Sequence, residues 1–459
     1  MIRVALCTAL VALSSSAFAA PSAPADVPET ATPKETQPGR ETDRAKPEGE
    51  AEEELTTKTW TRPAPRLDLH WHLLSLPEYA VDLAFTPVAV LVRTVERYRL
   101  DLRLYDALRN DSGTIVVGPK FKISGGDGVG LGAGLSLNRL FQRDFYVDFG
   151  GLYRLNGDRE LSAQYQRNVP WLEGRSLEFR LDYEVDKNIP YFGIGDDSID
   201  ERQVLREDFL DTYLSLDRSG RGILALIGDT KIGFRRSTLS AGTDASRSGV
   251  GEDPDVPLAP PPGFDETTNL LYLRMVVGVD TRDSNGRPST GWLSKFEGSL
   301  VQGLNGANLS ALSGRLTVSR FIPILPDRRV LVLHAGLGAS LPIYSGDEVP
   351  LHELVTLGRR SYLRGYARTR FRDRFGWWAG AEYRFPMWEY LDTGIALSPT
   401  VFVDVGGVSS TTATFIDAPV RYSYGVGLRG ARDTTRMLSL HFAMSPEGSQ
   451  FDLVLGQDF

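Results

Sequence analysis

From Gly113 to Phe459, apolar and polar residues alternate with a period of two. In Leu177-Glu178-Phe179-Arg180-Leu181-Asp182-Tyr183-Glu184 every second residue is apolar, and each residue between is charged. Leu131, Ala133, Leu135 and Leu137 alternate with Gly132, Gly134, Ser136 and Asn138. Tyr422, Tyr424, Val426 and Leu428 alternate with Arg421, Ser423, Gly425 and Gly427. This period puts the two sets on opposite faces of a strand. A soluble sandwich also alternates, but long strands with charge on the second face suit a barrel with lipid outside and water inside. Turn residues such as Asn156-Gly157-Asp158 and Arg218-Ser219-Gly220 separate the runs. The count is about sixteen strands, and closed single-chain barrels of bacteria take even numbers. The predicted fold is all-β, a closed antiparallel transmembrane β-barrel of sixteen strands over residues 111–459.

Long connections are read at Asp186 to Glu207, Arg235 to Thr268 and Pro342 to Phe375, after the fifth, seventh and eleventh strands. All three lie on one side, the outer side if strand one starts in the periplasm. Strand one, with Gly113, Gly118 and Pro119, meets strand sixteen, with Gly456, at the closing seam. Pro119 has no N–H for a ladder and suits an edge.

Ahead of residue 111 the pattern changes. Arg3, the apolar run Val4 to Leu13 and Ala17-Phe18-Ala19 read as a secretory signal peptide, residues 1–19, cleaved before Ala20. The sole cysteine, Cys7, lies inside it, so the mature chain is expected to lack disulfides, thiolate metal sites and cysteine nucleophiles. Residues 20–59 are rich in Pro, Glu, Thr and Ala and read as a disordered linker. Residues 60–110 read as an amphipathic helical segment, with Val81, Phe85, Val88, Val92 and Val95 at helical spacing and Pro87 interrupting them. Its polar face carries Arg93, Glu96, Arg97 and Arg99. It suits either an interfacial helix or one packed at the periplasmic mouth of the barrel. No stretch approaches the ~20 apolar residues of a transmembrane helix.

Composition narrows function. With 24% charged and 41% hydrophobic residues, the chain does not read as a helical membrane protein. A barrel needs apolar residues only at alternate positions. A formal net charge of -8 argues against nucleic acid as a partner. There is no Gly-x-Ser-x-Gly elbow. Of His70, His72, His334, His352 and His441, only His70-x-His72 has metal-ligand spacing, beside the linker. The acidic stretches Gly195-Asp196-Asp197 and Asp280-Thr281-Arg282-Asp283 suit a divalent cation or, more simply, a solvated turn. The chain is not expected to be an enzyme, and no cofactor or metal is expected.

One constellation does carry chemistry. Tyr362-Leu363-Arg364-Gly365-Tyr366 stands in the third long connection. Gly380-Ala381-Glu382-Tyr383-Arg384-Phe385-Pro386 and Phe402-Val403-Asp404-Val405-Gly406 stand on the next two strands. Parity turns Glu382 and Asp404 inward, and Trp377, Ala379, Ala381, Tyr383, Val401, Val403 and Val405 toward lipid. One arginine fork can then bond two carboxylates on adjacent strands and fix a loop folded back into the barrel. Gly365 allows close backbone approach.

Together these motifs resemble the BamA/TamA superfamily of outer-membrane assembly and translocation barrels, the bacterial surface antigen type. In that family an Arg-Gly-aromatic loop tip tucks into a sixteen-stranded barrel against acidic groups. The resemblance implies a loop lock made of Arg364, Gly365, Tyr366, Glu382 and Asp404. Tyr191 to Ser198 looks like the family's third outer loop. Asp280 to Asp283 with Pro288-Ser289-Thr290-Gly291 looks like its turn between strands eight and nine. Phe451 to Phe459 looks like its last strand, with Gln457 departing from the usual apolar residue. The likeness covers roughly Gly113 to Phe459. It implies that Phe459 is the signal read by the barrel-assembly machinery, and that Pro119 and Gly456 mark a seam able to part.

No stretch reads as a POTRA domain, so the chain resembles a short branch of the family in which a helical segment directly precedes the barrel. The implied role is insertion or translocation of protein or lipid at the outer membrane. Implied partners are outer-membrane lipids, the assembly machinery and an unfolded outer-membrane protein client. The alternatives are a passive pore or structural barrel, or a surface-exposed adhesin using its loops.

Overall fold

The structure is a computed structural model that describes residue 110 and residues 112–455. Excepted are short stretches at 125–127, 139–144, 170–174, 196–201, 219–225, 244–247, 253–257, 305, 326–328, 360–361, 386–387, 391–394, 416 and 433–434. The expected signal peptide, linker and helical segment (Asn110 apart), and Asp196, Asp197, Ser198, Gly456 and Phe459, lie outside the described residues.

Every regular element among the described residues is a strand. The first half of the wall is β1 (Ile115–Ser124), β2 (Gly128–Asn138), β3 (Phe145–Arg154), β4 (Arg159–Asn168), β5 (Arg175–Tyr191), β6 (Gln203–Arg218), β7 (Leu226–Ala241) and β8 (Thr267–Asp280). It continues with β9 (Gly291–Leu304), β10 (Ser310–Leu325), β11 (Arg329–Leu341), β14 (Phe375–Arg384), β15 (Trp388–Tyr390), β16 (Ile395–Ser409), β17 (Arg421–Arg432), β18 (Thr435–Ser445) and β19 (Gly448–Leu455). Between β11 and β14 stands a separate hairpin, β12 (Val355–Leu357) and β13 (Phe371–Asp373). Each wall strand is antiparallel to its sequence neighbour, and β15 continues the line of β14 along β16. With β14 and β15 as one member, the sheet has sixteen antiparallel strands.

Its burial is inverted relative to a soluble protein. On β8, Leu271, Leu273, Met275, Val277 and Val279 are exposed, and on β5 so are Phe179, Leu181 and Tyr183. The charged residues between the β5 apolar positions are less exposed and pair inside the sheet, as Arg180 does with Asp182 at 2.8 Å. Alternation has put apolar side chains on one face of the sheet and charges on the other.

Two boundaries differ from the sequence reading. The first two long connections are shorter than expected, because β5 runs to Tyr191, β6 starts at Gln203, β7 runs to Ala241 and β8 starts at Thr267. Asp186 and Pro190 look like loop residues, but they lie opposite Glu207 and Val204 in the ladder, with a register shift between Asp186 and Ile189. The extension continues because Tyr191, Leu205 and Leu239 bury themselves against Val349, Leu351 and Leu354 of the β11–β14 connection. Gly113 precedes β1 at a φ of 65°, in a turn that Asn110 closes, and is not part of the strand.

The turn between β8 and β9 satisfies its own carboxylates. Asp280 accepts from the Arg282 guanidinium at 2.7 and 2.8 Å. Asp283 accepts from the Ser289 hydroxyl and from the N–H groups of Ser289 at 2.8 Å and Thr290 at 3.1 Å. These contacts favour the closed-turn reading over the cation reading. Partial burial acts to raise the Asp283 pKa, but the Ser289 and Thr290 donors outweigh it and hold the carboxyl below its usual range. The sign follows: this stabilisation is present above the unfolded-state pKa and is lost as pH falls through the depressed one. Asp283→Asn is expected to speed amide exchange at Ser289 and Thr290 at neutral pH, and the unaltered turn to do so only in acid.

β1 pairs with β2 and also with β19. β1 lies along β2 from Ile115 opposite Leu137 to Ser124 opposite Gly128. It meets β19 at one position among the described residues, Ser124 opposite Val454. Pro119 sits mid-strand in β1 opposite Ala133. On the inner face, Lys120 reaches Asp148 of β3 at 2.8 Å and Lys122 reaches Glu160 of β4 at 3.1 Å. Those ion pairs fasten β1 to its own side of the junction.

Candidate functional site

The connection between β11 and β14 folds back against the inner face of the wall. Its tip is a tight turn in which Arg359 N–H donates to Leu363 O at 3.2 Å and Tyr366 N–H donates to the same oxygen at 3.1 Å. Leu363 holds a φ of 61° and is fully buried with Tyr366, whose ring meets Phe371 edge-on at 5.0 Å. Tyr362 stacks on Trp378 of β14 at 4.2 Å. The tip is thus packed as a small core of its own inside the sheet.

That packing delivers Arg364 to the two carboxylates. Its Nε donates to Asp404 Oδ2 at 2.9 Å and its Nη2 to Asp404 Oδ1 at 2.8 Å. Nη1 donates to Glu382 Oε2 at 2.8 Å. The main-chain N–H of Arg364 adds a bond to Asp404 at 3.2 Å. The guanidinium lies 3.5 Å over the Phe402 ring. Burial acts to lower the Arg364 pKa, but the Asp404 hydrogen bonds and the Glu382 and Asp404 charges outweigh it, so the pKa is raised and the charge is kept.

The structure therefore brings Arg364, Glu382 and Asp404 together, with Gly365 and Tyr366 on the same turn. Gly365 is there because nothing larger fits: a Cβ would stand 2.5 Å from Met444 O and 2.8 Å from Ser423 Cβ. Its carbonyl accepts from Ser445 Oγ at 2.8 Å. Pro119 lies on β1 opposite Ala133 and not in this cluster.

Sequence reasoning missed part of the network. Arg384 Nε at 2.6 Å and Arg429 Nη1 at 2.9 Å share Glu382 Oε1. Both were within reach of parity: Arg384 is two residues from Glu382, and Arg429 continues the inward series Ser423, Gly425, Gly427. Asp404 also receives Ser423 Oγ at 3.5 Å. Three arginines converge on one carboxylate, so Glu382→Gln is expected to destabilise the fold by about 1.5–3 kcal/mol, the scale of hydrogen bonds to a charged group. The amide keeps an acceptor and limits the loss. The midpoint of the heat-induced shift in gel mobility reads it.

A family model described as the Omp85 superfamily domain matches residues 155–459. The chain belongs to the Omp85 superfamily. The motifs around Arg364 pointed to that group. Among solved structures, this Omp85 chain is similar to BamA from Haemophilus ducreyi lacking POTRA domains 1-3. The two are 16% identical, with a TM-score of 0.54 over 75% of this chain and 70% of that one. CdiB from Escherichia coli is 11% identical, with a TM-score of 0.48 over 74% of this chain and 62% of that one. No curated protein matches the chain by sequence. The BamA likeness establishes the fold of this Omp85 chain and nothing of its chemistry.

Proposed function

We propose that the sheet closes into a transmembrane β-barrel in the outer membrane and assists insertion or translocation of protein or lipid there. In this reading residues 1–19 direct export, 20–59 form a linker and 60–110 form a helical segment on the periplasmic side. The exposed apolar bands on β5 and β8 support a lipid contact, since a soluble surface rarely carries such bands. The Arg364 network acts as a lock that holds the loop inside. The chain acts without enzymatic chemistry, through its wall and its edges, and the C-terminal strand engages the assembly machinery during its own insertion.

The observation that carries the proposal is the junction of β1 and β19, which among the described residues pairs at Ser124 opposite Val454. Two strand edges that part would expose main-chain groups, a template for an incoming strand. A client strand adding there would take up the hydrogen bonds of the parted edges. The packed loop in the interior weighs against a passive pore.

Purified protein in liposomes is the test, with a urea-unfolded outer-membrane barrel as client. Client folding, read from heat-modifiable mobility, is expected to be several-fold faster than in protein-free liposomes. Equal rates, with a large steady conductance in planar bilayers, would instead identify a pore.

A further inference from the structure

The loop tip grips the wall a second time, at the last strand. Arg359 is buried, and its Nε donates to Asp452 Oδ1 on β19 at 3.1 Å. Its Nη2 donates to the Phe451 carbonyl of the same strand at 3.2 Å. Asp452 is buried as well, while Phe451 is exposed, so the contact lies on the inner face of β19. Arg359 holds a φ of 57°, a left-handed conformation that disfavours a side chain. An arginine tolerated there, where glycine would be at ease, is kept for what its side chain does. Nearby, Arg370 Nε meets Glu447 Oε2 at 2.8 Å in the β18–β19 turn.

The backbone of Arg359 is joined to the arginine that grips the wall. Its N–H closes the turn on Leu363 O, one residue before Arg364. Arg364 holds β14 and β16 through Glu382 and Asp404, and Arg359 holds β19 through Asp452. One short turn therefore spans from the wall to the strand that borders the seam. β1 is fastened separately, by Lys120 and Lys122 to β3 and β4.

We infer that Arg359 is a positioning residue for the last strand, a latch that keeps β19 in register beside β1 and sets how readily the seam parts. The inference rests on the barrel reading above and deepens it. Releasing Arg359 frees β19 to swing while β1 stays with its lysine anchors. The bond from Nη2 goes to a main-chain carbonyl, so it acts on the position of the strand and not only on the Asp452 side chain.

The test uses a cysteine pair at the position of the seam matched among the described residues, S124C with V454C, in a full-length chain with Cys7→Ser. The protein is held in lipid nanodiscs, and the oxidised fraction is read under a fixed mild oxidant. Arg359→Gly removes the guanidinium and relieves the backbone, and Asp452→Asn leaves the loop backbone untouched. Disulfide yield is expected to fall several-fold in both, with Arg359→Lys intermediate because an ammonium lacks the fork. Unchanged or higher yields in both variants, with heat-modifiable mobility retained, would overturn the latch. No client enters this measurement. A fallen yield in a protein that inserts no client would sink the proposed function and leave the latch standing. An unchanged yield in an active protein would do the reverse.

Discussion

Arg364→Ala is expected to cost the folded protein about 3–5 kcal/mol, the scale of breaking a buried ion pair by removing one partner. The two carboxylates do not suffer equally. Glu382 keeps Arg384 and Arg429, but Asp404, almost fully buried, loses its charged partner and is left with the main-chain N–H of residue 364 at 3.2 Å, Ser423 Oγ at 3.5 Å and the His334 ring at 3.7 Å. An uncompensated buried charge is the larger part of the cost. Arg364→Lys keeps the charge and loses the paired geometry to Asp404, so it should fall between. The midpoint of heat-induced unfolding and the protease sensitivity of the β11–β14 connection read the effect. Unchanged values in Arg364→Ala would remove the lock from the account.

Gly365→Val is expected to match that loss without touching a charge. Its Cβ would sit against the Met444 carbonyl, which β18 holds in the ladder and which cannot retreat like the end of a flexible side chain. The loop must lift instead, and lifting it pulls Arg364 from Asp404 and Glu382. The cost then approaches the same ~3–5 kcal/mol, now as the price of a misplaced partner. Gly365→Ala should do the same to a smaller degree. Combining Gly365→Val with Arg364→Ala should add little, because neighbours in one network are not additive. A fully additive double variant would show that the glycine serves some other contact.

Much of the architecture was legible because a strand has a two-residue period. Glu382 and Asp404 read as inward from parity alone, and Arg364 read as their partner because a fork fits two carboxylates on adjacent strands. The strand ends were less legible. Asp186 and Pro190 carry local loop signals, and only the tertiary burial of Tyr191 and Leu205 explains why β5 and β6 continue past them. Arg359 was not legible at all. Nothing in the local sequence marks Arg359 as a residue with a left-handed backbone that turns to β19, because that is decided by the closed turn and by Asp452, far along the chain.

The central claim is that the junction of β1 and β19 is where the protein works. The direct measurement is client folding by the S124C/V454C protein in liposomes, before and after oxidation, in the Cys7→Ser background. The account predicts that the disulfide stops the acceleration and that reduction restores it. Undiminished client folding with the seam bonded shut would contradict it.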